Sequence, residues 1–225
     1  YFYLGPSVPA EARAALGAIP GVVLNEVREE DGWRGLMWRF RAAFDPDVAV
    51  FVSRDADSRL NARESAAVTE WLSSTRGIHI MRDHPAHGVP ILGGMWGARR
   101  GHLPGFERLL GSWATQDRWQ TDQEFLAECL YPRIRYDALV HDEIFSGRPF
   151  PRGRDGMEFV GESVGANGVP NEEQRHSLQA YLEKHPRHRV GSRARYAIGQ
   201  ARFALTRLLP AVHNAPAETL PPAFP

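Results

Sequence analysis

An unbroken apolar run, Val48-Ala49-Val50-Phe51-Val52, passes with no intervening turn residue into Ser53-Arg54-Asp55-Ala56-Asp57. Such a run predicts a strand buried on both faces at the centre of a sheet. A strand of that kind needs helices packed against it, and the flanking segments supply them. Pro9 to Leu16 reads as a short helix and Val22-Val23-Leu24 as a strand. Gly35 to Phe44 has helical spacing, with Leu36, Met37 and Phe40 on one apolar stripe. Asn61 caps a helix whose core face is Val68, Trp71 and Leu72, and Glu64 completes a capping-box pattern. Ile78-His79-Ile80-Met81 is the next strand, with helices following at Phe106 to Trp113 and Asp122 to Leu130. The alternation predicts an α/β layered fold. Gly147 to Asn167 reads as an irregular loop. After Asn171 comes a basic, mostly helical tail broken at Pro186 and Gly191, and then a Pro-rich end expected to be flexible.

Composition narrows the function classes. Of 225 residues, 43% are hydrophobic and 24% charged, which is ordinary for a globular chain. The formal charge is zero, so no global field draws the protein to nucleic acid, and none is expected as a partner. The 27 basic residues are arginines apart from Lys184, a bias that a GC-rich genome produces and that also suits bidentate phosphate recognition. The one cysteine, Cys129, excludes an internal disulfide and a multi-cysteine zinc site. Its neighbours place it on a buried helix face, and a reducing, cytoplasmic compartment follows. No apolar run is long enough to span a bilayer. The chain begins at Tyr1 inside what reads as a strand, Tyr1-Phe2-Tyr3-Leu4, so residues are expected upstream.

The chemistry concentrates where the apolar run ends. Ligands of open α/β sheets bind outside the carboxyl ends of the strands. Asp55 and Asp57, one residue apart at such an end, can address one hard cation, Mn2+ or Mg2+, together with phosphate oxygens. Arg54 and Arg59 flank the pair and can meet phosphate or the carboxylates themselves. Gly93-Gly94-Met95-Trp96-Gly97 is a glycine-dense turn around one large aromatic, suited to a sugar face or to a tight structural turn. Asp83 follows a strand end. Asp83-His84-Pro85-Ala86-His87 has His-x-x-His spacing, but Pro85 breaks a helix there and no third soft ligand is near, so zinc is not expected. Thr121-Asp122-Gln123 reads as an N-cap with an acidic first turn. Arg39 lies between core residues Trp38 and Phe40, and His141 follows the strand-like Leu139-Val140.

From Trp38 to Gly97 the chain resembles bacterial cell-surface polysaccharide glycosyltransferases with a GT-A fold. The segments that carry the likeness are Trp38-Arg39-Phe40, SRDADSRLNARE from Ser53 to Glu64, Trp71, MRDHPAH from Met81 to His87 and PILGGMWG from Pro90 to Gly97. TDQEFL from Thr121 to Leu126 and Phe159-Val160-Gly161-Glu162 extend it to roughly residues 30–165. The resemblance implies a GT-A-like (Rossmann-like) mixed sheet flanked by helices, with a C-terminal helical tail. Residues 1–165 would be the catalytic domain, its first strand upstream, and 166–225 the basic tail and Pro-rich end. It implies a metal-dependent transferase moving a sugar from a nucleoside-diphosphate sugar to a glycan or lipid-linked acceptor. Asp55 and Asp57 would hold the metal, with His141 either a further ligand or a surface histidine. Arg39, Arg54 and Arg59 would bind the nucleotide, and Gly93, Gly94, Trp96 and Gln123 the sugars. Asp122 and Asp83 would be the candidate bases or sugar ligands. The arginines from Arg187 to Arg207 either face solvent from a packed helix or touch an anionic membrane at its inner face. Two other classes stay open at this point: a metal-dependent phosphohydrolase or nucleotidyltransferase, and a non-catalytic sugar-binding protein of the same fold.

Overall fold

The computed structural model describes residues 1–28, 32–113, 118–145 and 148–186. The chain is mixed α/β, with an open mixed sheet flanked by helices. It divides into two compact units: Tyr1–Ser53 with Gly97–Tyr136, and Arg54–Trp96 with the described residues from Asp137 onward.

In the first unit β1 (Phe2–Leu4) and β2 (Leu24–Glu26) pair in parallel, with Phe2 opposite Leu24 and Leu4 opposite Glu26. Between them runs α1 (Ala10–Gly17), whose N-cap is Pro9. The second strand begins two residues later than its β-branched residues suggested: Val22 N–H closes a turn on the Ile19 carbonyl, and the Val23 carbonyl accepts from Phe2 N–H just ahead of the strand. The expected helix over Gly35–Phe44 is one turn of α-helix, α2 (Gly35–Trp38), that tightens into a 3-10 helix over Arg39–Phe44. Phe40 from this segment, Phe106 of α4 (Phe106–Trp113) and Phe125 form an aromatic cluster with ring centroids 5.7–6.4 Å apart. Trp113 adds its ring to Phe125 and donates its indole N–H to the Thr121 carbonyl, 2.9 Å away. The segment from Thr121 is α-helical over Thr121–Glu124 (α5), π-helical over Phe125–Leu130 and α-helical again over Tyr131–Ile134 (α6). Cys129 sits on the π-helical turn and is half-buried rather than fully buried.

The apolar run forms β3 (Val50–Ser53), but not as a central strand. β3 is an edge strand beside β5 (Trp96–Arg99), where Arg100 N–H donates to the Ala49 carbonyl. Phe51 and Ser53 face inward while Val50 and Val52 are 36% and 38% exposed. Period-two alternation therefore governs a run whose composition suggested burial on both faces.

The second unit carries the strand that is buried throughout, β4 (Ile78–Arg82), although it contains His79 and Arg82. It pairs in parallel with β6 (Ala138–Asp142), Ile78 opposite Ala138 and Arg82 opposite Asp142. On its other side Met81 N–H donates to the Met95 carbonyl. α3 (Ala62–Ser73) buries Ala67 and Trp71, and Ala67 packs with Met81, Met95, Phe150 and Val160. Asn61 accepts the Glu64 N–H as the cap requires, at 2.8 Å. The Glu64 carboxylate turns to Arg54 instead of completing a capping box. No helix or strand forms over 148–167. Beyond it α7 (Glu172–Lys184), capped by Asn171, buries Leu178 and Leu182 against Ile144 and Phe159. The arginine-rich stretch from Arg187 and the Pro-rich end lie outside the described residues.

Candidate functional site

β3 stops at Ser53, and the acidic pair occupies the turn that follows. Ser58 closes this turn by donating its amide and its hydroxyl to the Asp55 carbonyl, at 3.3 and 3.0 Å. Asp57 gives its carbonyl to Val164 N–H at 2.7 Å, and Ser58 bridges Ser163 in antiparallel fashion. The backbone is thus tied on both sides, leaving Asp55 half-buried and Asp57 exposed.

Gly94 explains how the Asp55 carboxylate reaches its position. A Cβ at residue 94 would overlap Asp55 Oδ2 and Cγ and stand 2.9 Å from the Asp55 amide nitrogen. The carboxylate lies where only a glycine leaves room, so the Asp-x-Asp turn and the Gly-Gly turn are one structural piece. Gly93 is buried beside it. Trp96 is wholly buried, so its ring is a core element and not a face on which a sugar stacks.

Arg54 pairs with Glu64, and Asp55 also acts on it electrostatically. Burial lowers the Arg54 pKa, and the Glu64 carboxylate opposes that shift. Arg59, by contrast, is exposed and lies across the backbone of Gly168.

Asp83 exposes nothing. Arg63 grips it in bidentate fashion at 2.8 and 2.9 Å, Arg154 donates to Oδ1 at 2.6 Å, and Val160 N–H donates to Oδ2 at 3.0 Å. Glu143 takes a further Arg63 contact at 2.9 Å, and the Arg63 guanidinium stacks over Phe150 at 4.2 Å. Burial on its own would raise the Asp83 pKa, but Arg154 and Arg63 outweigh it and hold the carboxyl below its ordinary value. Both oxygens are engaged, and the geometry assigns Asp83 to fastening the loop residues Arg154 and Val160 to the end of β4. Nothing in it presents a carboxylate to a sugar hydroxyl or to an acceptor proton.

His141 is neither a surface residue nor a neighbour of the acidic pair in a metal set. It is fully buried, with Nδ1 2.8 Å from His79 Nε2 and Nε2 3.3 Å from Glu70 Oε2. His79 in turn stacks on Trp71, ring centroids 5.3 Å apart. Among the described residues no three His, Cys, Asp or Glu side chains group as metal ligands. The donor set that remains, Asp55 and Asp57, is all oxygen. Carboxylate oxygens are the donor type that a hard cation takes.

Burial pushes the pKa of His79 well down, reinforced by His141, Arg54 and Arg148. Burial lowers His141 as well, with Glu70 opposing and Arg148 and Arg63 adding to the shift. His84 is lowered mainly by burial, and His87 is pushed down to about 3. In the fold each of these histidines resists protonation relative to the unfolded chain, which takes up protons below about pH 6.5. The unfolded state then binds more protons, so stability falls as pH falls. For a histidine that stays neutral in the fold, as His87 does, the limiting slope well below pH 6.5 is about 1.4 kcal/mol per pH unit. Urea midpoints at pH 7.5, 6.0 and 5.0 measure it, and an unchanged midpoint from 7.5 to 5.0 would refute this account.

Arg39, Asp122 and Gln123 belong to the first unit. Arg39 donates Nε–H to the Leu36 carbonyl at 3.0 Å and is half-buried. Thr121 is the first helical residue rather than the N-cap. Gln120 occupies the cap with a left-handed φ of 61°, and Asp122 is buried in the first turn with Gln123 half-buried beside it. Sequence reasoning missed the Arg63, Arg154 and Glu143 cluster, which no local pattern announces. It also missed Gly168, although Asn167-Gly168 is a strong turn dipeptide.

No protein-family model matches the chain, and no curated protein and no solved structure matches it. No described helix is long and apolar enough to cross a membrane.

Proposed function

We propose that the chain is a metal-dependent glycosyltransferase of GT-A type that takes a nucleoside-diphosphate sugar as donor and a glycan or lipid-linked acceptor. The observation that carries this reading is the fit between Asp55 and Gly94. Two segments 39 residues apart in the chain meet so closely that one must be a glycine, and they hold one carboxylate half-sheltered beside a second, exposed one. A diphosphate chelated with Mn2+ or Mg2+ is the ligand class that such a pair serves. When bound, the ion supplies Lewis-acid stabilisation of the departing diphosphate.

The chain's own residues have separable tasks in this reading. Asp55, fixed by Gly94, gives a preorganised oxygen ligand, and Asp57 gives a second from the exposed side of the turn. Arg59 brings positive charge to the phosphates. Arg54 holds the start of the turn through Glu64, and Arg63 with Asp83 anchors the loop at 152–160.

Calorimetric titration of UDP and GDP, with and without Mn2+, tests the reading on wild type and on Asp55→Ala/Asp57→Ala. The expected result is binding that requires Mn2+ and drops by at least about a hundredfold in the double variant, as loss of two charged ligands implies. Metal-independent binding, or equal affinity in both proteins, would sink it.

A further inference from the structure

We propose that the hairpin at 163–170 is the positioning element of the donor-phosphate site, and that it does so by holding Arg59 as a phosphate ligand over Gly168. This inference rests on the transferase reading and adds to it the element that positions Arg59, which the acidic motif does not contain.

The hairpin is closed by two bonds, Gly165 N–H to the Val169 carbonyl at 2.9 Å and Gly168 N–H to the Gly165 carbonyl at 2.8 Å. Asn167 Oδ1 accepts the Val169 N–H and so shapes the tip. Gly168 has φ +77°, a conformation in which a side chain is strained. It is also the place where the Arg59 guanidinium rests, since a Cβ there would stand 2.8 Å from Arg59 Nη2. The tip is thus left- handed for the turn and bare for the arginine.

The base of the hairpin is tied to the acidic turn on one side and to α7 on the other. Ser58 bridges Ser163, and Val164 N–H binds the Asp57 carbonyl. Asn171 N–H binds the Ser163 carbonyl at 3.0 Å, and Ser163 Oγ–H donates to Gln174 Oε1 at 3.1 Å. The backbone bearing Asp57 and the backbone under Arg59 are therefore joined by hydrogen bonds. Among the described residues no carboxylate neutralises Arg59, while Asp57, two residues away, is exposed to the same solvent. An exposed arginine normally samples many rotamers. One laid along a glycine backbone keeps its planar fork aimed, which suits bidentate contact with a phosphate whose counter-charge sits on the neighbouring acidic pair.

The test uses the full chain, Mn2+, whichever of UDP and GDP the wild type binds, and the matching nucleoside as a phosphate-free probe. Arg59→Ala is expected to weaken Mn2+-dependent diphosphate binding about tenfold and to leave nucleoside and Mn2+ binding unchanged. Arg59→Lys recovers part of the loss. Gly168→Ala, which leaves Arg59 in place chemically but displaces its guanidinium, gives an intermediate loss confined to the diphosphate. Circular dichroism checks that each variant is folded. Unchanged diphosphate affinity in Arg59→Ala overturns the proposal while the transferase reading stands. So does an equal loss for diphosphate and nucleoside, which is what a purely structural role would produce. A wild type that binds neither diphosphate with Mn2+ removes both the reading and this inference.

Discussion

Replacing Asp83 by alanine is expected to lower the free energy of unfolding by about 3–5 kcal/mol, the range for breaking a buried ion pair from one side. The carboxylate is 0% exposed and serves three donors: Arg63, Arg154 and the Val160 amide. Removing it leaves the Arg63 guanidinium, 4% exposed, with Glu143 as its remaining carboxylate contact, and Arg154 4.0 Å from that same residue. A buried and a half-buried cation then share one anion. Urea unfolding measures the loss, and Asp83→Ala/Arg154→Gln is expected to cost clearly less than the sum of its single changes, because the second removes a charge that the first orphaned. The pH profile separates this cluster from the histidines. Because the folded pKa of Asp83 is depressed, its contribution is fully present above the unfolded value of about 4 and is lost only as pH falls through the lower folded value. Loss of stability between pH 6.5 and 5 therefore belongs to the histidines and persists in Asp83→Ala. A change below 1 kcal/mol in Asp83→Ala would mean that solvent reaches the cluster and that the loop at 152–160 is not fastened there.

What could be read in the sequence followed locality. α3 was legible because its cap, Asn61, and its core residue Trp71 stand within one helix, and α4 was found at its observed limits. The strands were legible as strands but not as positions in a sheet. Val48 to Val52 has the stronger apolar run, yet β4, with a histidine and an arginine in it, is the strand buried throughout. The reason is that His79 and Arg82 find partners far away in the chain, His141 at 2.8 Å and Asp142 at 2.7 Å. Burial of a polar side chain is decided by its partner and not by its own hydropathy. The same logic separates the candidate residues. Asp55 and Gly94 could be singled out from motif and glycine density, though nothing in one dimension shows that they touch. Asp83 and His141 carry the residue types that site chemistry uses, and three dimensions give their charge and ring nitrogens to Arg63, Arg154, His79 and Glu70.

Gly94→Ala carries the second large expected effect, and it bears on stability and ligand binding together. The added Cβ would overlap the Asp55 carboxylate and press on the Asp55 amide nitrogen at 2.9 Å, so the side chain must rotate away or the turn must shift. Overpacking of this kind costs about 1–3 kcal/mol. A displaced Asp55 also no longer offers its oxygen where Asp57 and a chelated diphosphate would meet it, and Mn2+-dependent nucleotide affinity is expected to fall at least about tenfold, the equivalent of 1.4 kcal/mol. Gly111→Ala supplies the contrast. Gly111 lies within α4 with nothing within 4 Å of its added methyl, so the same chemical change there is expected to be neutral or to stabilise by up to about 1 kcal/mol. Adding Asp55→Ala to Gly94→Ala removes the carboxylate from the overlap but not the backbone nitrogen. Thermal unfolding of the double variant should therefore recover part of the loss, while nucleotide binding recovers none. Recovery of stability without recovery of binding is the signature of a glycine selected by the carboxylate it faces. If Gly94→Ala instead melts and binds like the wild type, Asp55 reaches its position by another route, and the contact that carries the functional reading is lost with it.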